Sequence, residues 1–108
     1  MVFDLTTTSS AFSNNVIHGY GDVTHGILFN SISAPSAVSF NGNSMTLASI
    51  NSIVHEGITF TTVNNVTSSD KLTFSGNQNN TISGASNNLT VPVGSFTGQF
   101  KLNGVFGP

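Results

Sequence analysis

Apolar and polar residues alternate in short runs along most of this chain, and Gly, Asn or Pro interrupts the runs at close intervals. A period of two places successive side chains on opposite faces of a strand. Residues 2–8 put Phe3 and Leu5 on one face, and residues 58–63 put Ile58 and Phe60 opposite Thr59 and Thr61. Residues 95–102 alternate Phe96, Gly98, Phe100 and Leu102. Further strands are predicted over 15–20, 24–32, 37–40, 44–50, 53–55, 71–75, 81–83 and 89–93. Within 24–32, Ile27, Leu28 and Phe29 are consecutive, the pattern of a strand covered on both faces. Helical periodicity is absent. The nearest approach, residues 45–54, is rich in Ser, Thr and Asn and follows a turn signal, so it reads as strand.

The punctuation predicts how the strands connect. Asn41-Gly42 has the residue types that best tolerate positive φ at both centres of a type I′ turn, which predicts a hairpin between 37–40 and 44–50. Glu56-Gly57 predicts a second hairpin, and Asn103-Gly104 turns the chain into a short Val105-Phe106 tail. Ala34-Pro35 ends a strand, and residues 76–80 form a polar loop. Hairpin-linked strands, about eight to ten of them, imply a single all-β domain over 1–108, an antiparallel β-sandwich or jelly roll. One internal echo, a hydroxyl residue, Phe, any residue, Gly and an amide, occurs at 39–43, 73–77 and 95–99. Its unequal intervals argue against a repeat architecture and for a buried Phe beside a turn glycine. The expected core is Phe3, Leu5, Ile27, Phe29, Val38, Phe40, Leu47, Ile58, Phe60, Leu72, Phe74, Ile82, Val91, Phe96, Phe100 and Leu102.

Composition narrows what such a domain does. The 108 residues hold two Lys, no Arg and four acidic residues, against 16 Ser, 13 Thr and 14 Asn. An ordinary domain is about a quarter charged, so this surface is built of hydroxyls and amides. Lys71 and Lys101 alone give a phosphate backbone little to contact, which argues against nucleic acid as a partner. No run approaches the roughly 18 apolar residues that span a bilayer as a helix, and no signal-peptide pattern opens the sequence. With no Cys there is no disulfide framework and no Cys-ligated metal.

Candidate chemistry concentrates at 18–25, where His18, Asp22 and His25 offer two imidazoles and a carboxylate within eight residues. Those groups suit a divalent cation, with His55 and Glu56 as further ligands from another strand. Their spacing matches no established ligand motif, so the expectation is no metal and no other cofactor. No Gly-x-Ser-x-Gly elbow occurs, and Asp4, Asp22, Glu56 and Asp70 lie far apart, so no enzyme is expected. With no Trp and a single Tyr, Tyr20, an aromatic sugar platform is disfavoured, and the Thr runs at 6–8 and 59–62 show no third row that would extend them into a ladder.

What remains is assembly. Edge strands are ordinarily guarded by charge or Pro, and here Lys71, Lys101 and Pro92 are the whole supply. Val2, Phe3 and Leu5 lie on an edge strand or exchange arm over 1–8, with the Ser/Asn-rich stretch 9–15 as its hinge. The expected partner is therefore protein, a second copy or a larger scaffold such as a capsid or filament, and neither nucleic acid nor membrane. The reading is a non-enzymatic structural subunit, foremost a virion (phage capsid) decoration or cement protein. The alternative is an extracellular adhesin module or a fibre or pilus subunit of a cell surface.

Overall fold

The computed structural model describes residues 1–6, 9–20, 24–48, 55–75 and 79–107. Three strands, β1 (Val2–Leu5), β2 (Ser9–Ser13) and β3 (Val16–Tyr20), form one circuit of the chain. The chain then rises and repeats the circuit as β4 (His25–Ser33), β5 (Ser36–Asn41) and β6 (Ser44–Ala48). A third circuit holds β7 (Glu56–Phe60), the short β8 (Val63–Asn64), β9 (Leu72–Phe74) and β10 (Thr81–Ser83). The fourth holds β11 (Asn87–Thr90), β12 (Phe96–Gly98) and β13 (Phe100–Leu102). A final strand, β14 (Val105–Gly107), folds back on β13.

Each strand pairs in parallel with its counterpart one circuit away. One sheet runs β1-β4-β7-β11, a second β2-β5-β9-β12 and a third β3-β6-β10. β13 extends the third sheet through a parallel bridge between Asn80 and Leu102. The result is a three-sided parallel β-solenoid of four levels, which corrects the expected antiparallel sandwich or jelly roll. The sole antiparallel pair among the described strands is β13 with β14.

The corners explain the difference. A type I′ hairpin needs positive φ at both central residues. Asn103 (φ 53°) and Gly104 (φ 79°) meet that requirement, and the expected reversal occurs there. At Asn41-Gly42 only Gly42 is left-handed (φ 72°), so the chain bends into the next sheet instead of returning on itself. A Cβ on Gly42 would meet the Asn14 side-chain oxygen one level below, which would have to shift to admit it. Glu56-Gly57 is no turn either. Both residues lie inside β7, and most of its proposed partner strand, residues 53 and 54, falls outside the described set.

Inward residues stack in columns of like kind. Phe3, Phe29 and Phe60 occupy one register position of the first sheet, with ring centroids 5.6 and 4.3 Å apart. Phe12 stacks on Phe40 at 4.8 Å in the second sheet, and Ile17, Met45 and Ile82 align in the third. Phe29 and Phe40 meet edge to face at 6.1 Å across the interior, joining two sheets into one core. Twelve of the sixteen expected core residues are buried; Phe3, Leu5, Val91 and Phe96 are half-buried against them. Ile32, Ala34 and Met45 complete the interior.

The rejected echo is a genuine trace of the repeat. Phe40, Phe74 and Phe96 lie on successive levels of the second sheet, but Phe74 pairs with Val38 and Phe96 with Leu72. Each step slides by two residues, which preserves the inward face. The step is 28 residues from Ser9 to Ala37, 36 from Ser36 to Leu72 and 24 from Leu72 to Phe96. The corner loops absorb these differences, so the period is not constant in sequence.

Candidate assembly surface

One corner is built by asparagine. Asn14 (φ 56°), Gly42 and Asn79 (φ 56°) make the left-handed bend, and each is followed by an asparagine that turns its amide along the solenoid axis. Asn15 Nδ2 donates to Asn43 Oδ1 at 2.9 Å, Asn43 Nδ2 donates to Asn80 Oδ1 at 2.9 Å, and Asn80 Nδ2 reaches the Lys101 carbonyl at 3.4 Å. Asn43 and Asn80 also donate to the Phe12 and Phe40 carbonyls at 2.9 and 3.0 Å. These side chains are 5% and 3% exposed, so their polar atoms must be satisfied from within, and the ladder does this. At the far end Asn103 takes over. Its side chain accepts from the Ile82 amide at 2.8 Å and donates to the Ile82 carbonyl at 2.7 Å, standing in for a missing strand.

The opposite end has no such closure. The outer edges of β1, β2 and β3 lie at one level and carry no further strand among the described residues. Their inward residues Phe3, Leu5, Phe12 and Ile17 are packed from one side alone, which is why they remain half-buried. Phe3 meets Phe12 edge to face at 5.1 Å, so the two rings form a patch of their own. Val2 and Val16 add apolar surface at 66% and 68% exposure. Charge is nearly absent: Asp4 is the one carboxylate on these three strands, and its Oδ1 accepts from Asn30 Nδ2 at 3.0 Å. Unpaired parallel edges beside apolar surface, without lysine or proline guards, are a template for another chain.

Of the assembly residues read from the sequence, Val2, Phe3 and Leu5 all lie on this surface, in β1. β1 itself pairs with β4 of the same chain, and the stretch expected as a hinge is the strand β2. The chain therefore holds its first strand as a level of the solenoid, and the exposed feature is the outer edge of that level. Phe12 and Ile17 were not singled out as assembly residues. The signal that locates them is Asn14-Asn15-x-Ile17, repeated as Gly42-Asn43-x-Met45 and Asn79-Asn80-x-Ile82, which marks one corner of each of the first three levels.

The metal candidates do not converge among the described residues. His18 is exposed on the outer side of β3, its ring parallel to that of Tyr20 at 6.3 Å. His25 begins β4 in the neighbouring sheet, with Nδ1 3.0 Å from Thr24 Oγ1, and pairs in register with Glu56. Glu56 Oε1 accepts from Asn87 Nδ2 at 3.2 Å, while His55 is buried one residue earlier. Asp22 lies outside the described residues. No group of three ligating side chains forms among those described.

Comparison with protein-family models, with curated proteins and with solved structures finds no match to this chain.

Proposed function

We propose that this chain is a non-enzymatic structural subunit that works through protein–protein assembly at its first solenoid level. The observation that carries this reading is the level end of β1, β2 and β3, with three unguarded strand edges around half-buried Phe3, Leu5, Phe12 and Ile17. The hydroxyl- and amide-rich, charge-poor composition supports it, because close apposition of two such surfaces desolvates few ions. A virion decoration or cement subunit is the class it fits first, at the virion and with a capsid as scaffold. A cell-surface fibre or adhesin module is the second reading, supported by the same exposed strand edges, which can accept a strand from another chain. Protein is the partner in both, with no cofactor, nucleic acid or membrane involved.

Sedimentation and light scattering from about 10 μM to 1 mM test the reading, a range that brackets contacts of micromolar affinity. The wild type is expected to exceed the 11.2 kDa of one chain as concentration rises. The Val2→Lys, Val16→Lys double variant places guards on two exposed edge positions and is expected to stay monomeric with an unchanged unfolding midpoint. A wild type that remains at one chain throughout overturns the proposal.

A further inference from the structure

The two ends of the solenoid are not equivalent, and the difference selects a partner. At the far end β14 stands one strand beyond β11 and β12, a step of about 4.8 Å on one of three sides. Between that step and β11 lies a recess of about 250 Å³ lined by Asn88, Leu89, Leu102, Val105 and Gly107. Lys101, on β13, holds its Nζ 5.3 Å from the Phe106 ring and puts a charge on this end. A level surface laid on a stepped one meets β14 or meets β11 and β12, but not all three. Continuous head-to-tail stacking is therefore blocked by the β13–β14 hairpin.

At the first level no described strand stands beyond β1, β2 or β3. Resting on the reading of that level as the assembly surface, we propose that its occupant is the same level of a second copy, the two related by a two-fold axis. Two level, nearly uncharged ends match in shape, and the two-fold sets their strand edges antiparallel, a favourable pairing. The Asp4 carboxylates, each held by Asn30 of its own chain, and the Met1 ammonium groups, each donating to its own Gly26 carbonyl at 2.9 Å, are the like charges that β1–β3 and the residue before them bring to the contact. Size permits it. Four levels make a stack about 15–20 Å high, comparable to the shortest of the 43 × 24 × 20 Å extents, so the level end is the broad section. Half of that 43 × 24 Å rectangle is an upper bound for the first-level section, ~500 Å² per copy or ~1,000 Å² over the pair, which is the least a specific interface buries. Such a contact closes after two copies and leaves both capped ends outward.

The chain has no cysteine, so introduced thiols report only the intended pair. Val2→Cys, Ser13→Cys and Val16→Cys place one exposed thiol on each side of the first level, and Phe106→Cys places one on β14. Each is treated with a short bis-maleimide and its mass measured by light scattering. The expected result is a dimer that does not grow with concentration, cross-linked between identical first-level positions in at least one variant and not through position 106. Open-ended oligomers, with cross-links joining position 16 to position 106 in a mixture of the two variants, overturn the two-fold contact and leave first-level assembly standing. A chain monomeric at 1 mM overturns both.

Discussion

Asn43 shows how much one side chain carries in this architecture. It accepts from the Asn15 amide at 3.1 Å and from Asn15 Nδ2, and donates to the Phe12 carbonyl and to Asn80 Oδ1. Its truncation leaves the part-buried Asn15 donors and Phe12 carbonyl without it, while Asn80 Oδ1 keeps the Asn43 amide at 3.1 Å, and each orphaned group costs about 1–3 kcal/mol. Asn43→Ala is therefore expected to lower stability by about 3 kcal/mol in urea unfolding. Asn15→Ala removes a half-buried end of the same ladder, and about 1 kcal/mol is expected. Equal losses at the two positions would mean that the ladder is not a connected unit. Asn15, Asn43 and Asn80 looked like general polar content in a chain with 14 Asn. Their roles become visible only when each is aligned with the residue one level away.

Among the elements, the β13–β14 hairpin obeys local rules alone. Both central residues of its turn have positive φ, and the three cross-strand pairs follow directly from it. Gly104→Ala puts a Cβ into left-handed backbone where nothing else crowds it, so the penalty is conformational and about 1 kcal/mol. Hydrogen exchange is expected to rise over residues 100–107 in that variant, with β4 and β7 unchanged. Uniform loss of protection across all strands would contradict a separable cap. Asn41-Gly42 carries an equally strong turn signal and becomes a corner. The inward pull of Val38 and Phe40 on one side and Met45 and Leu47 on the other keeps β5 and β6 in different sheets.

For the whole molecule, each level touches only its neighbours, so stability is close to a sum of adjacent contacts. Levels two and three are covered on both sides and hold the fully buried Ile27, Phe29, Ile32, Val38 and Phe40, with Leu72. Native-state exchange is expected to be slowest in β4, β5 and β7 and faster in β1–β3 at low concentration. Protection of β1–β3 is then expected to grow with concentration as assembly covers their outer edges. Exchange in β1–β3 that is independent of concentration would place the contact elsewhere.

Some of this protein is determined by sequence alone. Which residues face inward on β5, β7 and β9 follows from a period of two, because alternation depends on the pleat and not on the neighbour; β4 keeps it at Ile27 and Phe29 and breaks it at Ile32, past the register shift opposite Phe3 and Asp4. The Asn103-Gly104 reversal follows from the φ preferences of those two residues, and the poverty of charge follows from composition. Val2, Phe3 and Leu5 were legible as an edge. What only the tertiary structure decided is the pairing. Parallel and antiparallel strands share the same alternation, and the partners here lie 22 to 37 residues apart, from Asn80 to Leu102 and from Ser44 to Thr81. Corner loops of unequal length hide that periodicity. The end surface of β1, β2 and β3 exists because this one circuit is paired on a single side, each of its strands ending its sheet.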